Sequence, residues 1–130
     1  MIAVKLLLAD HNRDMLLMYQ LLFSGRGDEV VSVFDGAQAA EFLKDGDFDL
    51  MIVNRDLPRV RAAQLVRMAN EKRIPAVTLV NTTEYEGVET EDLFSAFMLF
   101  PFFPEELFAK IEEIGVGRTD DKQIGGETDA

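Results

Sequence analysis

The chain has 130 residues and a formal net charge of −11, which is enough length for one domain and the wrong sign for binding nucleic acid or an anionic membrane surface through Lys and Arg. It has no cysteine and a single histidine, which excludes a disulfide framework, a thiolate metal site and a histidine cluster. Hydrophobic residues make up 48%, enough for a packed core, yet no apolar run approaches the roughly 20 residues that cross a bilayer, and the run at 6–9 is too short for a signal-peptide core. The expected setting is therefore cytoplasmic, and the acidic balance is expected to serve solubility.

Short apolar runs alternate with longer amphipathic ones along the chain. Residues 4–9 are apolar apart from Lys5 and read as a buried parallel strand. Residues 14–23 place Met15, Met18 and Leu22 at helical spacing, and Gly25 and Gly27 follow as a stop. A second strand is predicted over 30–34. Asp35 then suits the N-cap of a helix over 37–44, with Gly46 ending it.

A third strand is predicted over 50–53, followed by a loop at Leu57-Pro58. The next helix covers 63–71, and Pro75 precedes a fourth strand over 76–80. Residues 81–90 are polar and contain Gly87, so they offer no apolar face. A shorter helix is predicted over 91–96 and a fifth strand over 97–100. Pro104 suits the first turn of a last helix ending at Ile114, where Glu105 and Glu106 favour its positive end. Residues 1–114 are thus read as one domain. Residues 115–130 hold four glycines and almost nothing apolar, and read as a disordered tail or the start of a linker to an output domain.

Five strand–helix repeats with short connections predict an α/β fold: a doubly wound parallel sheet of five strands, flavodoxin-like, in the order 2-1-3-4-5. Functional residues in such sheets lie just past the carboxyl ends of the strands. Here those positions hold Asp10-His11, Asn54, Val80-Asn81 and Phe100-Pro101.

These positions carry a family resemblance that spans residues 4–114. Lys5-Leu-Leu-Leu-Ala-Asp10-His11 resembles the first strand of the response-regulator receiver domain of two-component signalling, which ends in an acidic pair. Asp49-Leu-Met-Ile-Val-Asn54 resembles the third strand, which ends at the phospho-acceptor, with Pro58 at the family's spacing. Ile74-Pro75-Ala-Val-Thr-Leu-Val80 resembles the fourth strand, and Phe100-Pro101-Phe102 resembles the family's Lys-Pro-Phe. In that family an aspartate takes a phosphoryl group from a phosphohistidine. A Mg²⁺ held by carboxylates, a hydroxyl and a lysine neutralise and hold the phosphoryl oxygens, so the transfer depends on positioning and electrostatics.

The resemblance breaks where that chemistry sits. The acceptor position holds Asn54, whose amide is a poor nucleophile. The second acid of the pair is His11, and imidazole with a neutral amide suits Mg²⁺ poorly. The hydroxyl position is Val80 and the lysine position is Phe100. A family glycine in the next loop is Ala62. The family pocket carries three carboxylates and one ammonium; here only Asp10 remains, and a buried lysine without its acids would be costly. Four losses in separate loops remove the same chemistry. The resemblance therefore implies a degenerate pseudo-receiver, not an enzyme, with no cofactor or metal, regulating through protein contacts.

Other readings of these residues are weaker. Asp10-His11 is a pair, and zinc needs at least three protein ligands; Asp10 is more simply a cap of the first helix or a partner of His11. Histidine titrates near neutral pH, which makes His11 the candidate pH sensor. Asp56 is the candidate substitute phospho-acceptor, although the family uses the backbone carbonyl at that position. A third reading, a doubly wound module for a small ligand, lacks the Asp-x-His-x-x-Gly of cobalamin domains, a flavodoxin phosphate loop and a Rossmann glycine fingerprint.

Ten phenylalanines and no tryptophan, concentrated late, need a separate account. Phe108 and Phe100 are read as core. Alternation puts Phe97 and Leu99 on one face of the fifth strand and Met98 and Phe100 on the other. Phe97 matches the family's aromatic that moves between inward and outward positions on activation. Phe102 and Phe103 fall in a loop. With Phe94 and Phe97 they are expected to mark a protein partner or a homodimer across the face formed by the fourth helix, fifth strand and fifth helix.

Overall fold

The computed structural model describes residues 4–81, 96–100 and 102–115. Five parallel strands form one sheet in the order β2-β1-β3-β4-β5. They are β1 (Lys5–Ala9), β2 (Glu29–Val33), β3 (Leu50–Asn54), β4 (Ala76–Asn81) and β5 (Ala96–Phe100). Four helices are seen among the described residues: α1 (Arg13–Ser24), α2 (Gly36–Asp45), α3 (Ala62–Glu71) and α4 (Pro104–Ile114). The sheet order and the parallel register are those the alternation of elements predicts.

The inner strands β1, β3 and β4 are largely apolar on both faces because both faces are covered. Alternation sorts their side chains into two layers. Leu7, Ala9, Met51, Val53 and Ala76 face α2 and α3, where Ala39, Leu43, Leu65, Val66 and Ala69 complete one core cluster. Leu6, Leu8, Leu50, Ile52, Val77 and Leu79 face the other way and pack with Leu16, Tyr19 and Phe23 of α1 and Leu107 and Ile111 of α4. Each fully buried leucine contributes roughly 2 kcal/mol, so these layers dominate the stability.

Polar contacts fix the start of β1. The Val4 N–H donates to Asp28 Oδ1 at 3.0 Å and the Lys5 N–H to Asp49 Oδ2 at 2.8 Å. These two carboxylates, one before β2 and one before β3, bracket the start of β1 between its two neighbours. Lys72, just after α3, caps the end of α2: its Nζ donates to the carbonyls of Leu43 at 2.6 Å and Lys44 at 3.0 Å. A cation there also meets the negative end of the helix.

Three expectations change. Ala96 belongs to β5 and not to a preceding helix, because the ladder extends one residue further and pairs Ala96 with Val77; the rest of that predicted helix, with Phe94, lies outside the described residues. The N-cap of α1 is Asn12, whose Oδ1 accepts from the Met15 N–H at 3.1 Å; Asp10 caps the turn before the helix instead. Phe102 is only partly a surface residue, since it packs against the α1–α4 core cluster. The last helix ends at Ile114 as predicted, with Gly115 at φ +84, a left-handed conformation that glycine adopts without strain. The predicted tail beyond it lies outside the described residues.

Candidate functional site

The parallel ladders bring the ends of β1 and β3 side by side, with Ala9 opposite Val53. Asp10 and Asn54 follow and meet. Asp10 is 2% exposed. Its Oδ1 accepts from the Asn12 N–H at 2.9 Å, and its Oδ2 accepts from Asn54 Nδ2 at 3.3 Å. The Asn54 Oδ1 in turn accepts from the Asp56 N–H at 2.8 Å. The amide uses a donor toward one loop and its acceptor toward the other, a double role that no carboxylate can play. One chain of hydrogen bonds therefore runs from the β1–α1 loop through Asp10 and Asn54 into the β3–α3 loop.

Burial pushes the Asp10 carboxyl above its ordinary value, and the Asp56 charge adds to this; the hydrogen bonds from Asn12 and Asn54 and the proximity of His11 oppose it. The His11 ring is half-exposed, with Nδ1 3.7 Å from Asp10 Oδ1, a contact too long for a direct hydrogen bond. Asp56 is exposed and Val80 is buried at the end of β4. Asn81 pairs with Phe100 in the β4–β5 ladder, which sets the Phe100 backbone beside the end of β4; the side chains of Phe97 and Phe100 lie outside the described residues. Among the described residues no group of three His, Cys, Asp or Glu could hold a metal ion.

The β3–α3 loop is held from a second side. The Gly36 N–H donates to the Pro58 carbonyl at 2.8 Å. A Cβ on Gly36 would lie 2.3 Å from the Val60 carbonyl oxygen, so glycine is required for this approach. Arg59, at φ +83, adopts a conformation uncommon outside glycine, and its Nε lies 3.9 Å from Asp35 Oδ2. At the rim, the Arg13 guanidinium sits 4.6 Å from the Phe34 ring centroid and links the starts of α1 and α2.

Of the aromatic candidates, Phe103 is 72% exposed, while Phe102 is half-buried and lies parallel to the Tyr19 ring at 6.5 Å between centroids. Phe108 packs edge-on against Phe23 at 5.6 Å, in line with its reading as core. Tyr19 packs in the core between the sheet and Phe102, and its hydroxyl is buried with no hydrogen-bond partner among the described residues.

The structural neighbours share this arrangement of strands and helices. A response regulator receiver protein of Sinorhizobium medicae superposes with a TM-score of 0.74 at 25% identity, over 86% of this chain and 94% of that one. The receiver domain of a sensor histidine kinase of Pseudomonas aeruginosa superposes at 0.76 with 21% identity, over 87% and 98%; in that structure a magnesium ion is coordinated in the active-site cleft. This is the receiver fold of response regulators. The chemotaxis response regulator CheY4 of Vibrio cholerae has the same fold, with a TM-score of 0.73 at 20% identity over 86% and 98%. Among curated proteins, the response regulator GtcR of Aneurinibacillus migulanus is 25% identical over 114 residues. The chain spans about half the length of that relative. No protein-family model matches the chain. The neighbours and the curated relative together support a receiver domain of the response-regulator type. No helix among the described residues is long and apolar enough to cross a membrane.

Proposed function

We propose that this chain is a receiver domain of two-component signalling that works without phosphorylation, as a protein-contact module and not as an enzyme. The observation that carries the reading is Asn54 at the end of β3, hydrogen-bonded to the buried Asp10. An acceptor there must be a carboxylate, free to attack phosphorus and flanked by a cation. The amide is neither nucleophilic nor free, and His11 and Val80 supply neither the second acid nor the hydroxyl. The family pocket needs a metal to reconcile clustered carboxylates; here the Asn54 amide donor satisfies Asp10 directly.

Without a phosphoryl ligand, nothing at this pocket biases the domain between two states. The output is then a standing surface. Phe103 is its most exposed aromatic, and Phe94, Phe97 and Phe102 complete the proposed contact face for a protein partner or a second copy of the chain. The test is titration with beryllofluoride and Mg²⁺, followed in amide NMR spectra. The reading expects no shift around Asp10, Asn54 and Asp56. A saturable shift there marks a working phosphoryl pocket, and Asp56 becomes the acceptor to examine.

A further inference from the structure

Several phenylalanine rings carry one of the chain's own cations. Lys5 Nζ lies 5.1 Å from the Phe48 centroid, and the guanidinium groups of Arg13 and Arg26 lie 4.6 Å from Phe34 and 4.5 Å from Phe108. Phe42 differs. It is 45% exposed on α2, and among the described residues no cation lies over its ring. Its neighbours are acids instead. Residues three and four apart on a helix adjoin, so Gln38, Glu41, Phe42 and Asp45 share one face of α2, and all four are exposed. Two shallow hollows open there. One, of about 340 Å³, is lined by Ala37, Gln38, Glu41 and Phe42, and the other, of about 200 Å³, by Glu41, Phe42 and Asp45. Among the described residues neither Glu41 nor Asp45 forms an ion pair. Lys44, two residues from Phe42, faces another side of the helix. Gln38 borders the face from a fixed position, since its Oε1 accepts from the Phe34 N–H at 2.8 Å.

We propose that this face of α2 docks a basic segment of a partner protein, with an arginine stacked on Phe42 and its guanidinium held by Glu41 and Asp45. The occupant follows from charge. The ring stands beside two carboxylates with no cation of their own, in a chain of net charge −11, so a second copy or a nucleic acid brings more negative charge to it. Arginine fits better than lysine, because its planar group stacks on a ring and binds carboxylates as a fork. The surface is separate from the proposed Phe103 contact face: α2 packs in one core layer with α3, and α4 in the other with α1. The two contacts therefore stand or fall independently.

The test is an NMR titration of the full chain with an acetylated, amidated peptide of alternating alanine and arginine. Saturable shifts are expected at the amides of residues 37–45. Phe42→Ala should weaken binding at least threefold, and so should Glu41→Gln combined with Asp45→Asn. Glu71→Gln combined with Glu112→Gln removes the same charge at exposed positions elsewhere and should weaken it much less. The matching lysine peptide should bind more weakly than the arginine peptide. Shifts spread over the acidic surface, equal losses in the two charge-neutralised variants, or full binding by Phe42→Ala overturn the proposal. Should Phe42→Ala fail to fold, Phe42→Leu keeps the apolar bulk and is read in the same way. Sedimentation of the chain alone covers the other occupant: self-association that Phe42→Ala abolishes would assign the face to a second copy and overturn the proposal.

Discussion

Asn54 Nδ2 lies 3.3 Å from Asp10 Oδ2, joining the ends of two neighbouring strands through an amide where the receiver resemblance implies a carboxylate. Asn54→Asp would remove that donor and place two carboxylates together. The pair repels, so at least one folded-state pKa rises above its unfolded value. Stability is then present at low pH and lost as pH rises through the raised folded value. We expect the variant to be less stable than wild type by about 1–3 kcal/mol at pH 7 and nearly equal to it at pH 4. Urea unfolding at the two pH values checks this; an equal or higher midpoint at pH 7 contradicts a stabilising role for the Asn54–Asp10 hydrogen bond.

Asp10 itself has a related signature. Burial raises its pKa from 3.8, so its contribution favours the fold below that value and is lost as pH rises through the folded one. Asp10→Asn removes this slope. Wild type minus variant stability, measured from pH 3.5 to 7, should fall with rising pH. A difference that grows with pH would mean that the hydrogen bonds from Asn12 and Asn54 outweigh desolvation.

The Tyr19 hydroxyl, buried with no hydrogen-bond partner among the described residues, makes a stability prediction. Tyr19→Phe should leave the protein as stable as wild type or stabilise it by about 1 kcal/mol, roughly 3–5 °C in Tm for a domain of this size. Calorimetry decides. A fall of several degrees would show that the hydroxyl is bonded in solution, for instance through a buried water.

Phe102 and Phe103 should separate in their effects. Phe102 lies partly in the core against Tyr19, so Phe102→Ala is expected to cost about 2 kcal/mol or more of stability. Phe103 is 72% exposed, so Phe103→Ala should change stability by less than about 0.5 kcal/mol. If it anchors a contact, it should weaken association roughly thirtyfold, equivalent to ~2 kcal/mol. Thermal melts paired with sedimentation and a partner pull-down measure both effects. Unchanged association in a folded Phe103→Ala rejects this face as the interface.

Gly36 tests how tightly the pocket loop is held. A Cβ there meets the Val60 backbone, which cannot rotate away. Gly36→Ala should cost about 1–3 kcal/mol and reduce hydrogen-exchange protection in the β3–α3 loop. Unchanged exchange there would show that the loop is not pinned by α2.

The fold was legible because buried parallel strands appear as uninterrupted apolar runs and because Gly and Pro punctuate them. The runs ending at Ala9 and starting at Leu50 are the neighbouring inner strands β1 and β3, and the bounds of α4 follow from Pro104 and Gly115. The positions of the candidate pocket residues were legible for the same reason: each lies at or just past the carboxyl end of a strand. What the sequence withheld are contacts across the fold. Lys72 capping α2 and Gly36 touching Val60 join segments 24–29 residues apart. Phe102 sits in a loop by sequence, yet its ring reaches Tyr19 on α1. The N-cap of α1 was missed because Asp10, Asn12 and Asp14 are all capable caps, and only backbone geometry selects Asn12.

The most direct test of the central claim is intact-mass spectrometry after incubation with acetyl phosphate and Mg²⁺. The loss of a nucleophile at Asn54 predicts a single species at the unmodified mass, and the same for the Asn54→Ala variant. A Mg²⁺-dependent phosphoryl adduct on the wild-type chain, abolished by Asp56→Asn, would contradict the account and establish a working receiver with a displaced acceptor.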